Sequence, residues 1–69
     1  MSHPLAIQGN TSGFQDKFGS DVRAGDRVLH LRDGRTGVLD EALHDGDAFV
    51  TFDNGQYATV KWACLRKIP

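Results

Sequence analysis

The residues able to do chemistry in this chain are three histidines, one cysteine and a set of aspartates, and their spacing decides what they can do. His3, His30, His44 and Cys64 would be the members of a zinc set. Structural zinc sites draw on ligand pairs at short spacing, and no such pair is present, so no metal is expected. Asp26, Asp33, Asp45, Asp47 and Asp53 cluster where turns are expected. Aspartate favours turns because its carboxylate accepts nearby backbone N–H groups. The spacing of Asp45 and Asp47 matches part of a calcium loop, but the twelve-residue pattern with its closing glutamate is missing. Cys64 has no histidine close in sequence, and no Ser-His-Asp or Cys-His arrangement can be built. The chain is therefore read as non-enzymatic, with no catalytic residue and no cofactor. His44 reads as a solvated turn residue. His30 alternates with Leu29 and Leu31, so it shares a side with Val28 and reads as a partly buried, hydrogen-bonded histidine.

The aromatic residues are the better lead. Phe49, Phe52, Tyr57 and Trp62 fall in one short stretch. Their placement depends on the strands around them. Asp33-Gly34, Asp45-Gly46 and Asn54-Gly55 punctuate the second half of the chain between runs rich in Val, Leu, Phe, Thr and Tyr. Asn-Gly and Asp-Gly accept the positive φ of tight hairpin turns, so they predict successive hairpins. The expected strands are 27–32, 36–43, 48–52, 56–60 and 65–68, with one 3₁₀ turn at 61–64 before the last. Gly37 predicts a bulge or sharp bend in the second strand; turning Val38 and Leu39 inward in succession is one option there, and the side chains of 36–43 are not assigned to a face. A three-residue loop at Asp53-Asn54-Gly55, with Gly55 left-handed, sets Phe52 opposite Gln56, Val50 opposite Ala58 and Ala48 opposite Val60. A two- or four-residue loop would split the apolar set between faces. This register puts Ala48, Val50, Phe52, Ala58 and Val60 on one side. Phe49, Thr51, Tyr57 and Thr59 fall on the other, outer side.

Residues 1–21 are expected to form a flexible N-terminal tail. Few large apolar groups precede Gly13, and so little burial cannot offset ordering entropy. Phe14 and Phe18 lie four apart, as on one face of a single helical turn. Residues 22–69 are the folded domain. The net charge of −1 balances eight Lys and Arg against nine Asp and Glu. That weakens a role in tracking phosphates. No apolar run is long enough to span a membrane, no signal-peptide pattern is visible, and one unpaired cysteine fits a reducing compartment. A cytoplasmic location is expected.

The series Val22-x-x-Gly25-Asp26-Arg27-Val28, Gly34-x-x-Gly37-Val38-Leu39, Ala48-x-Val50-x-Phe52-Asp53-Asn54-Gly55, Val60 and Leu65 resembles the SH3-like small barrels of the Tudor and KOW kind. The resemblance implies an all-β fold of five strongly bent antiparallel strands with a 3₁₀ turn before the last. It also implies use in protein-tail recognition, RNA contact or assembly. In such barrels an aromatic cage accepts methylated Lys or Arg. Trp62 and Tyr57 are the two cage positions that can be placed here. The Gly25-Asp26-Arg27-Val28 opening also resembles the plasmid type II dihydrofolate reductases, which are tetramers with a central pore. Their Val-Gln-Ile-Tyr segment is replaced by Tyr57-Ala58-Thr59-Val60, so the habit of oligomerising is carried over and the activity is not.

A folded part of about 47 residues, without a disulfide, is marginal on its own core. Covering Phe49 and Tyr57 with another copy would bury on the order of 200 Å² per subunit. That is worth about 5 kcal/mol before association costs. The expected role is a protein- or peptide-binding or assembly module, self-associating as a dimer or tetramer through Phe49, Tyr57, Trp62, Thr51 and Thr59. The first alternative is a barrel that contacts RNA or DNA through Arg23, Arg27, Arg32, Arg35, Lys61, Arg66 and Lys67. A pore-forming reductase ranks third.

Overall fold

The structure is a computed structural model that describes residues 10–69. The elements in chain order are β1 (Asn10–Thr11), β2 (Gly13–Gln15), β3 (Asp21–Arg23), β4 (Arg27–His30), β5 (Thr36–Leu43), β6 (Asp47–Phe52), β7 (Tyr57–Lys61), a 3₁₀ turn (Trp62–Cys64) and β8 (Leu65–Lys67). The fold is all-β and antiparallel. No helix among the described residues is long and apolar enough to cross a membrane.

The glycine of each expected turn adopts the positive φ that the turn needs, +78° at Gly34, +93° at Gly46 and +90° at Gly55. The β6–β7 hairpin takes the expected register, with Ala48 opposite Val60 and Val50 opposite Ala58. Its loop closes through the Phe52 N–H donating to the Gln56 carbonyl at 2.6 Å and the Gly55 N–H donating to the Phe52 carbonyl at 2.9 Å.

The main path of the sheet runs β7-β6-β5-β4-β8, with β1 added alongside the far end of β5. A fully closed barrel is not formed, because β7 and β8 end that path on opposite sides and are joined by the 3₁₀ turn rather than by a ladder. Val28, Leu39, Val50 and Leu65 are fully buried and form the centre of the core with Val22, Ala42, Ala48 and Phe52.

Strand β5 corrects the expectation about Gly37. The register slips between Leu39 and Glu41, so the bulge falls at Asp40. Leu39 is buried and Val38 faces outward, half-covered; they do not both turn inward. The bulge shifts the buried phase from Leu39 to Ala42, which is why no strict alternation fits the sequence there. Gly37 has a different task. A side chain at that position would run into the Thr51 carbonyl and the Phe52 backbone.

Residues 10–21, expected as tail, are part of the folded unit. β2 pairs with β3 through Phe14 opposite Val22, and both side chains are buried in the core. There is no helical turn at Phe14 to Phe18. The chain instead reverses after Asp16, whose buried carboxylate accepts the N–H groups of Phe18 and Ser20 and, from β8, that of Lys67, each at 2.9 Å. Burial opposes ionisation of Asp16, but these three donors and the nearby Arg66 charge outweigh it and hold the carboxyl below its ordinary range. His3 and the rest of 1–9 lie outside the described residues.

Candidate functional site

Alternation along β6 and β7 places Phe49, Thr51, Tyr57 and Thr59 on the outer face. Phe49 is 40% exposed and Tyr57 77%, the most open large apolar surface of the described chain apart from Phe18. With Asp40, Glu41, Ala58 and Thr59 they line a shallow depression of about 490 Å³. Thr51 borders it and donates its hydroxyl to the Asp40 carboxylate. Four of the five residues expected to bind are thus on one surface.

The fifth, Trp62, is not. It stacks on Phe14 with centroids 5.0 Å apart and planes at 4°, and its Nε1–H donates to the Asp47 carbonyl at 2.6 Å. A Trp62–Tyr57 cage does not assemble. The sequence reading missed this because Phe14, the partner that turns Trp62 inward, had been assigned to the tail.

β7 is unusual in another respect. Tyr57, Ala58, Thr59 and Lys61 are exposed and Val60 is only half-covered, so the strand is open on both faces. The register aims Ala58 and Val60 toward the core side, where Val60 packs against the core and Ala58 stays exposed. β7 also ends the strand order, with β6 as its single neighbour.

The expected nucleic-acid contacts are mostly matched by carboxylates. Arg27 pairs with Asp53 in a two-pronged contact at 2.6 and 3.1 Å, which holds the Asp53 carboxyl below its usual range. Arg35 bonds Asp33 at 2.7 Å and covers the Phe52 ring at 4.0 Å. Lys61 meets Asp47 at 2.9 Å, and Lys67 meets Asp26 at 3.6 Å. Arg66 lies over the Phe18 ring at 4.7 Å. Arg32 and Arg23 are exposed. The cations are thus dispersed among acids rather than gathered into a stripe.

His30 is buried, as Val28 beside it implied, and its Nδ1 lies 3.0 Å from the Asp33 carboxylate. The Arg35 backbone N–H, the His30 ring and the Arg35 side chain lower the Asp33 carboxyl to about 2. His30 and Cys64, distant in sequence, line one depression with Arg32, Asp47, Thr59 and Lys61, because His30 pairs with Leu65 across β4 and β8. The turn carrying His44 is exposed, and Asp45 accepts the Asp47 N–H there at 3.1 Å. No group of three or more potential metal ligands exists among the described residues.

Comparison with family models, with curated proteins and with solved structures returned no match.

Proposed function

We propose that this chain is a non-enzymatic assembly module of SH3-like architecture that binds further copies of itself. The strand order supports the architectural part: a meander of hairpins whose last strand, after a 3₁₀ turn, returns beside its first. The observation that carries the functional part is β7, a largely exposed strand that ends the sheet of the described residues and is flanked by Phe49 and Tyr57. Long exposed edges invite pairing, and proteins that stay monomeric blunt them with bulges, prolines or charge. β7 has no proline, its register with β6 is unbroken, and its single charged residue, Lys61, is ion-paired to Asp47.

At about 200 Å² per aromatic residue, the exposed parts of Tyr57 and Phe49 amount to on the order of 230 Å². Covering them is worth about 6 kcal/mol per subunit before association costs. This is comparable to the whole stability of a small domain. Sedimentation at micromolar concentration is expected to show a dimer or tetramer that dissociates on dilution. A well-folded monomer throughout would overturn the reading. The double variant Phe49→Ser/Tyr57→Ser is expected to associate more weakly than the wild type.

A further inference from the structure

Resting on that self-association reading, we infer that the partner of β7 is β7 of a second copy, paired antiparallel about a two-fold axis at Thr59. The hydrogen bonds of the β6–β7 hairpin fix which backbone groups are available. Phe52 bonds Gln56 at one end, and the Trp62 N–H donates to the Gly46 carbonyl at 2.9 Å at the other. In an antiparallel ladder, bonded and non-bonded pairs alternate. Between those ends the bonded pairs are therefore Val50–Ala58 and Ala48–Val60. The N–H and C=O groups of Tyr57, Thr59 and Lys61 point the other way, off the end of the sheet.

A two-fold axis at Thr59 is the register that uses all of them. Thr59 then exchanges bonds with Thr59 of the second copy, and Tyr57 does so with Lys61 of the second copy. An axis at Ala58 or Val60 would leave part of this set unpaired. The side chains agree with the same register. On the core side, Ala58 lies opposite Val60 of the second copy, which covers exposed Ala58 and the remaining open part of Val60. On the outer side, the Lys61 stem lies against the Tyr57 ring of the second copy while its ammonium keeps Asp47. The Tyr57 and Phe49 surfaces of the two copies then adjoin on one face of the joined sheet, with Lys61 of the second copy covering part of each Tyr57 ring, and neither copy keeps an open β7 edge.

Thr59→Pro tests this. It removes an N–H that the subunit's own ladder does not use, and proline is tolerated on edge strands with that geometry. The variant is expected to be folded and monomeric. In the wild type, amide exchange at Tyr57, Thr59 and Lys61 is expected to slow about tenfold or more from dilute to concentrated solution, while Ala58 and Val60 are protected throughout. Thr59→Cys in a Cys64→Ser background is expected to oxidise to a covalent dimer. Bonded antiparallel pairs hold Cα atoms about 5.5 Å apart, within disulfide range. Asn54→Cys, at the hairpin tip, is expected not to. If Thr59→Pro stays oligomeric and the three amides exchange as fast as in dilute solution, the edge pairing is wrong, and self-association through the outer face survives. If the wild type is monomeric at every concentration, both fall.

Discussion

The two ends of the sheet are built from strands of similar modesty and are treated in opposite ways. At one end, β8 is only three residues long, yet it is secured by parts from elsewhere. The Asp16 carboxylate accepts the Lys67 N–H, Arg66 rests on Phe18, and the β2–β3 hairpin sends Phe14 into the core beside Trp62. At the other end, β7 is longer and more apolar, and among the described residues only its inward-facing Val60 packs against the core. Capping an edge takes a segment with its own turn and its own buried residue, and the described residues supply one such segment. The difference teaches that the open edge is not a by-product of small size, because an equally small fold closes its other edge.

Four changes probe that contrast. Phe14→Ala should be the most damaging. It deletes a buried ring and the stacking partner of Trp62, and should cost about 3–5 kcal/mol in urea unfolding, with a change in Trp62 near-ultraviolet dichroism. A cost under about 1 kcal/mol would mean that the hairpin does not secure the β8 end. Asp16→Ala orphans the N–H groups of Phe18, Ser20 and Lys67 and should cost about 2–3 kcal/mol. Faster amide exchange at Lys67 would locate the loss at the β8 edge.

Acid should loosen this side of the molecule. The Asp16 and Asp33 carboxyls are depressed in the folded state, so the stability they contribute is present above their unfolded values near 3.8. It is lost as pH falls from there toward about 2, the value Asp33 takes when folded. Asp33→Asn should flatten the part of the acid-unfolding curve due to that residue and leave the Asp16 part. Tyr57→Ser should have the smallest effect on the isolated subunit, within about 0.5 kcal/mol, since it removes an exposed ring. It should nonetheless weaken the concentration dependence of sedimentation. A large loss of subunit stability instead would show that β7 is held by its own fold.

Much of the β4–β8 region was legible in the sequence because its turns are dictated locally. A glycine preceded by Asp or Asn states both where the chain reverses and, through loop length, which residues face each other across β6 and β7. The outward placement of Phe49 and Tyr57 follows from that register alone. The β2–β3 hairpin was not legible. Its apolar content is one residue per strand, Phe14 and Val22, and the decisive interaction is a carboxylate meeting a backbone N–H far along the chain. Neither periodicity nor composition carries such a contact. The position of Trp62 was lost with it. Gly37 was misread for a related reason: a glycine in a strand marks either a bulge or a close approach, and only the position of β6 distinguishes them.

The bond between Asp16 and Lys67 also bears on how the protein is made. A ribosome emits the early hairpin long before the strand that fixes it, and contacts between distant positions slow folding. Until Lys67 emerges, Phe14 and the half-built sheet are accessible to chaperones and to other nascent chains.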